Sequence, residues 1–340
     1  YIFNVISPFV IGAFIAFILY PLVRFFYRHL FKEKCHLKSD KLSKYLSILI
    51  TYIIAIGIIT ILMVFIIPQL YTSITDIVDK LPVWYNNITG LIDYAVINEQ
   101  LNNLYPKVIS YLTDMLTNLL PYVVNTSMAI VKGLVNLIIA IMVSVYMISD
   151  HKNIFYNFKR VLYAVFPKNA ADTTRKICRE SGTIFLKFMY GKALDSLIIG
   201  IICFICMTIF KFPYTVLISV IVGITNMIPY FGPYIGGVMG GIIIVIVNPI
   251  QVIFFAILIL VIQQFDGLFL GPKILGESTG LKPLWVIFAI VVGGALFGVL
   301  GMFLGVPVMA VICYITNLVV EHFLKKRNIS VQPYDSPDEM

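Results

Sequence analysis

NMIPYFGPYIGG, residues 226–237, packs Pro229, Pro233, Gly232, Gly236 and Gly237 into twelve residues of an otherwise apolar run. A proline inside a helix removes one backbone donor and clashes with the preceding turn, at about 3 kcal/mol. In hydrocarbon each unsatisfied backbone group costs several kcal/mol, so disrupted backbone survives only where protein shelters it or water fills a cavity beside it. The flanking halves, 214–228 and 234–247, are each short for a bilayer crossing, which takes about 20 apolar residues. The stretch therefore reads as the tip of a re-entrant helical hairpin over 212–247. The competing reading is a full but kinked span whose glycines serve close helix packing.

Composition supports a membrane setting. Of 340 residues, 60% are hydrophobic and 12% charged, with a mean hydropathy of +0.95. A soluble domain is about half apolar and about a quarter charged. This excludes soluble catalytic and β-rich classes and predicts an all-α, polytopic transmembrane protein. Residues 2–23, 46–67, 127–148 and 193–210 read as spans. Residues 212–247, 250–265 and 284–320 are apolar but repeatedly broken by Gly and Pro. The chain starts with Tyr1 inside an apolar stretch, so a further upstream span is expected.

The net charge of +8 is distributed as a topology signal. Seven basic residues lie in 24–45, nine in 150–192, and Lys325, Lys326 and Arg327 in the tail, whereas 68–126 carries only Lys80 and Lys107 against five acids. Positive charge marks the cytoplasmic side, so 68–126 is expected outside. Attraction to anionic lipid follows from the same charges. The basic residues flank spans, which argues against nucleic acid as a partner. Apolar residues at three- and four-residue steps predict amphipathic helices in 68–126, punctuated by Pro82, Pro106 and Pro121. These lie on the membrane, against a neighbouring subunit, or as a solvated cap. HKNIFYNFKRVLYAVF, after Asp150, reads as a basic amphipathic helix at the cytoplasmic interface.

The second broken region echoes the first. An offset of 70 carries Pro213 to Pro283 and Gly223 to Gly293, and an offset of 69 carries Gly232 to Gly301 and Gly236 to Gly305. Following the chain from Lys192, a span and a hairpin entered from outside are succeeded by a span and a hairpin entered from the cytoplasm. That pattern is an inverted repeat with broken helices, an architecture of secondary transporters whose sites lie at the repeat interface.

YGKALDSLIIG (190–200), NMIPYFGPYIGG (226–237), QQFDGLFLGPKILGESTGLKP (263–283) and GGALFGVLGMFLGVPVMAV (293–311) resemble the autoinducer-2 exporter family in order and spacing. The resemblance implies a homo-oligomeric transporter of the bacterial inner membrane, named for export of the quorum-sensing furanone autoinducer-2. Some members of that family look like cation/proton antiporters, and others are known as sporulation membrane proteins. The organisation then reads as N-terminal spans with a basic loop (1–67), an outer helical segment (68–126) and a span with a cytoplasmic helix (127–192). A transport core with the repeat (193–324) and a tail (325–340) complete it.

Polar groups in a membrane are functional suspects. Asp195, three residues after Lys192, is either an ion-coupling carboxylate or half of an ion pair snorkelling to the interface. Asn226 either bonds a solute hydroxyl or caps freed backbone at the break. Gln263, Gln264 and Asp266 bind a polyhydroxylated solute, or Asp266 a cation with a proton as alternative occupant, or they cap a helix end. Lys273 and Glu277 form a gate or a surface salt bridge. Pro229, Tyr230, Phe231, Gly232, Gly301 and Gly305 complete the substrate-binding candidates. Tyr230 and Phe231 are placed to stack on a small ring, though aromatic packing is the commoner fate. The glycines chiefly permit close backbone approach.

Enzyme-like patterns fail on context. Gly276 to Gly280 fits G-x-S-x-G without a strand–turn–helix setting, and the four histidines all lie in cytoplasmic flanks. Cys203 and Cys206 form a Cys-x-x-Cys inside a lipid-type segment, where packing is the expected role. No P-loop is present. No catalysis, metal or cofactor is expected, and the expected partners are a small polar solute or ion, the bilayer and further copies of the chain.

Overall fold

The computed structural model describes residues 2–34, 39–92, 134–275 and 280–329. No strand occurs among them. The helices are α1 (Ile2–Phe25), α2 (Asp40–Ile92), α3 (Leu134–Ser149), α4 (His151–Val165), α5 (Lys168–Ile209), α6 (Thr215–Thr225), α7 (Phe231–Val247), α8 (Gln251–Phe265) and α9 (Pro283–Lys326). Two π-helical runs, Phe26–Lys34 and Asp266–Leu275, extend α1 and α8. Among the described residues, five helices are long and apolar enough to cross a membrane, or six if α3 and α4 count as one bent pair. The chain is an all-α, multi-pass membrane protein.

Two compact units are formed, Tyr1–Lys168 with Ile243–Pro249, and Asn169–Ile242 with Ile250–Met340. In the first, Ala16 and Val23 of α1, Ile48 and Tyr52 of α2 and Ile148 of α3 make the core. Close approach is needed here. A Cβ on Gly12 would sit 2.6 Å from the Ala140 carbonyl oxygen. Ser43, Ser47 and Thr51 recur every four residues on the buried face of α2 and return their hydroxyls to carbonyls one turn back, at 3.0, 2.6 and 2.7 Å. Small side chains that satisfy themselves in this way let helices pack without a hydrophobic drive, which lipid does not supply. The Tyr52 hydroxyl meets Ser144 Oγ at 2.5 Å.

The other face of α2 is oily and outward. Ile53, Ile58, Ile61, Val64 and Phe65 are exposed, as a lipid-facing surface requires. α2 does not stop where the sequence predicted an outer segment. It is one helix of 53 residues that runs through Pro68 and Pro82, so Pro82 does not punctuate it. Pro106, Pro121 and the rest of the expected outer segment beyond Ile92 lie outside the described residues. α4 leaves α3 at 74°, the turn expected of a basic helix lying along an interface.

In the second unit the predicted cytoplasmic stretch before Ala193 and the span after it are a single helix, α5, of 42 residues. The polypeptide then reverses. Phe212 N–H bonds the Met207 carbonyl at 2.9 Å with Lys211 at φ +54°, a left-handed helix stop. α6 runs back along α5, and the crossing is glycine on glycine. A Cβ on Gly200 would lie 3.4 Å from Gly223 Cα, and one on Gly223 3.3 Å from Gly200 Cα.

Within residues 226–237 the chain breaks: one helix ends at Thr225 and the next starts at Phe231. Tyr230 has φ +62°, and Phe231 N–H bonds the Pro229 carbonyl at 2.7 Å. α7 folds back on α6. A Cβ on Gly232 would sit 1.9 Å from the Thr225 carbonyl oxygen, one on Gly236 3.0 Å from Val222 Cα, and one on Gly240 2.8 Å from Ile218 Cγ2. An uninterrupted kinked rod cannot bring those pairs together.

α9 behaves likewise. Phe297 and Gly298 leave helical geometry, the latter at φ +61°. A Cβ on Gly301 would lie 1.9 Å from the Gly293 oxygen, and one on Gly305 2.5 Å from the Ala289 oxygen. Residues sixteen apart on a straight helix are about 24 Å apart, so this helix too is two arms folded at its middle. Phe188, Ile228, Val286, Ala289, Ile290 and Val306 form the core that ties α5, the 226–230 break and α9 together.

Candidate functional site

The buried face of α5 carries Phe188, Lys192, Asp195, Ser196, Ile199, Cys203 and Met207, a stripe at steps of three and four. Three of its members are polar. Asp195 is fully buried and Lys192 nearly so, at 5% exposure. Their ion pair is 2.6 Å long. The expectation that this pair snorkels to an interface does not hold, because both groups are sealed in the protein.

The Gly200–Gly223 crossing decides what meets them. With α6 antiparallel to α5, the end of α6 arrives beside Asp195. Asn226, fully buried at the break, donates its Nδ2 to Asp195 Oδ2 at 3.2 Å. Its amide nitrogen holds the carboxylate, while its Oδ1 is left without a partner among the described residues. Asp266 begins the π-helical run after α8, and its carboxyl interacts electrostatically with Asp195 and Lys192. Widened π turns recur at functional sites because they redirect a side chain without ending the helix.

The cluster is incompletely satisfied. Asp195 Oδ1, Ser196 Oγ, Asn226 Oδ1, Gln263 Nε2 and Asp266 Oδ1 are buried with no hydrogen-bond partner among the described residues. Buried polar atoms are rarely left so, since each costs about 1–3 kcal/mol. One ammonium faces two carboxylates, which leaves room for one further positive charge.

Beside the cluster lies a cavity of about 950 Å³. Its polar end is formed by Lys192, Gln263, Gln264 and Asp266, and its apolar wall includes Phe255, Ile259, Val286 and Val306. Pro229, Tyr230, Pro233 and Tyr234 contribute the edge at the α6–α7 break. The volume is at the upper end of the usual range for small-molecule sites, about 300–1,000 Å³, and a few polar groups on apolar walls is their common make-up. Asp195 and Asn226 stand behind this lining and fix Lys192.

The sequence candidates are distributed unevenly. Pro229, Tyr230, Gln263, Gln264 and Asp266 line the cavity. Phe231 opens α7 and is exposed away from it, while Gly232 closes the turn on Thr225. Gly301 and Gly305 do not line it; they press the two arms of α9 together. Lys273 is exposed, and Glu277 lies outside the described residues, so their pairing does too. Lys192, Ser196 and Phe188 join the site without having been candidates from sequence. Their signal was present as polar groups at 192, 195 and 196 on a helical face otherwise apolar from 188 to 207.

The chain is similar to several curated transport proteins. The chain is 28% identical over 341 residues to the Bacillus subtilis protein "Putative transport protein YueF", covering 96% of this chain and 88% of that one. It is 25% identical over 333 residues to the same organism's "Putative transport protein YrrI", with 95% and 88% covered. Against the Escherichia coli K12 "Putative permease PerM" it is 26% identical over 251 residues, with 72% and 67% covered. The model of the AI-2E family transporters matches residues 1–321. With its membrane helices, its two folded helical breaks and this match over nearly its whole length, the chain belongs to the AI-2E transporter family.

Proposed function

We propose that the protein exports a small polar solute across the bacterial inner membrane by alternating access, with the cavity at Gln263, Gln264, Asp266 and Tyr230 as its binding site. The observation that carries this reading is the buried Lys192–Asp195–Asn226–Asp266 cluster, with unpartnered polar atoms, at the polar end of a cavity where helices break. Burying an ion pair is costly, and a chain with only 12% charged residues would gain nothing by keeping one unless a ligand or ion used it.

A furanone of the autoinducer-2 type suits these walls chemically. Its hydroxyls match the Gln263 and Gln264 amides, and Tyr230 offers a ring to stack on. The folded α6–α7 pair and the folded α9 pair support two re-entrant hairpins in inverted repeat, able to rock against each other. Solute export, homo-oligomeric assembly, a role in quorum sensing and the absence of enzymatic activity all belong to this proposal. In proteoliposomes, Gln263→Ala and Asp266→Asn are expected to lower autoinducer-2 flux at least tenfold while the protein stays folded. Wild-type flux from both variants would refute the site.

A second reading, cation/proton antiport, is favoured by one specific feature. Asp195 Oδ1 and Asp266 Oδ1 are both buried and unpartnered, and two carboxylates beside one ammonium can exchange a proton for a cation. Flux of sodium or potassium driven by a pH gradient without any solute, abolished in Asp266→Asn, would establish this reading over the first.

A further inference from the structure

The first unit holds a second cavity, of about 550 Å³, unrelated to the site above. It lies where the end of α1 and its π-helical extension meet the start of α2 and the α3–α4 bend. Arg24, Arg28, Lys41, Lys44, His151 and Lys152 line it. The single lining carboxylate, Asp40, is already bonded to Lys32. Lys44 donates to the Ser149 carbonyl oxygen, but Arg24, Arg28, Lys41 and Lys152 form no ion pair among the described residues.

Orientation in the membrane explains why this end of the spans is basic. It does not explain convergence. Cations from α1, its extension, α2 and α4 converge on one concavity, where the carboxylates of Asp40 and Asp150 offset their mutual repulsion only in part. An anion between them would offset that repulsion, and arginine offers a bidentate fork suited to phosphate. The rest of the wall is apolar or aromatic: Val23 and Ile148 are buried, and Tyr20 packs on the His151 ring with centroids 5.0 Å apart. Phosphate-sized charge at one side and a short apolar group at the other is the division this cavity offers. Its volume excludes a macromolecule.

We propose that this cavity binds a phosphate-bearing anion, either the headgroup of an anionic phospholipid or a free organophosphate. Basic pockets between membrane helices at the cytoplasmic side hold acidic headgroups by the same physics. The inference is independent of what the protein transports.

Native mass spectrometry of the full chain, released from micelles containing equal phosphatidylglycerol and phosphatidylcholine, tests it. Retention of phosphatidylglycerol over phosphatidylcholine is expected. Each basic residue near such a headgroup is worth about fivefold in affinity, so Arg28→Gln with Lys152→Gln should weaken retention about thirtyfold. The charge-keeping pair Arg28→Lys with Lys152→Arg should retain it, which separates loss of charge from loss of fold. Added glycerol 3-phosphate distinguishes the sources. If it binds alone and displaces the lipid, the ligand is a free organophosphate; if it does neither, the ligand is the lipid headgroup. Equal retention of both lipids together with no binding of glycerol 3-phosphate would overturn the proposal. So would unchanged affinity in the Arg28→Gln, Lys152→Gln variant.

Discussion

Replacing Lys192 and Asp195, singly and together, separates the structural from the functional weight of the buried pair. Lys192 is 5% exposed and Asp195 0%, with 2.6 Å between them. Removing one partner of such a pair strands the other charge, at about 3–5 kcal/mol. The two single variants should not be equal. Asp195→Leu still leaves Lys192 the Coulombic attraction of the Asp266 carboxylate, so its cost belongs at the lower end. Lys192→Met leaves two carboxylates facing each other, which puts it at the upper end. Replacing both residues strands neither, and an ion pair exchanged for apolar groups of similar volume is often neutral or stabilising. The double variant Lys192→Met/Asp195→Leu should therefore unfold less readily than either single variant. The coupling energy should be about 3 kcal/mol or more, at the strong end of measured couplings. Denaturant titration in mixed micelles, followed by circular dichroism, reads these energies, and proteoliposome flux reads the function. The double variant is expected to be folded and inactive. Additive losses in the double variant would show that the two residues do not act as a buried pair. Wild-type flux from it would remove the cluster from the transport mechanism.

Three further outcomes are expected. Gly232→Ala and Gly301→Ala put a Cβ 1.9 Å from a carbonyl oxygen, so each should cost more than the about 1–3 kcal/mol typical of overpacking. Gly57→Ala meets nothing within 4 Å and should stabilise α2 by about 0.5–1 kcal/mol; thermal unfolding of the three, compared side by side, checks both statements. Tyr52→Phe deletes the 2.5 Å bond to Ser144, but Ser144 keeps its bond to the Ile141 carbonyl at 2.7 Å. Its cost should stay near the low end of about 0.5–1.5 kcal/mol, and a loss above twice that range would mean the hydroxyl has a role not visible in these contacts. Cys178 is exposed and Cys203 buried, so a membrane-impermeant maleimide should label Cys178 in folded protein and spare Cys203 until denaturation. Labelling of Cys178 in intact cells rather than inverted vesicles would reverse the orientation read from the basic residues.

Much of the fold was legible because lipid restricts the choices so severely. A chain with repeated uncharged apolar runs of about 20 residues reads as helical, since only helices and closed barrels satisfy their own backbone in hydrocarbon and strands of a barrel are shorter. Proline and glycine at 229, 232 and 233 then had to mark a break, and Tyr230 at φ +62° sits where the chain turns. Element ends were less legible. α2 passes through Pro68 and Pro82, although proline ordinarily ends or kinks a helix. The fold in α9 falls at Phe297–Gly298, a position that Gly298 alone, among so many glycines in that region, did not distinguish.

The site divides in the same way. Local chemistry in the sequence pointed to Asp195, Asn226, Gln263, Gln264 and Asp266 one by one, because each is polar within an apolar run. Nothing local brought them together. Asp195 and Asn226 are thirty-one residues apart, and they meet because α6 returns along α5 at a glycine crossing that sets the depth of both. The same crossing turns Lys192 from an interface lysine into a buried counter-ion. By itself the sequence determined that the protein lies in a membrane, that it is helical there and that the 226–237 stretch is broken, since these follow from the cost of exposing backbone to lipid. The tertiary structure alone decided which polar groups share one buried cluster and which glycines merely clamp helices, because those depend on how folded segments register against each other, and no local pattern encodes that register.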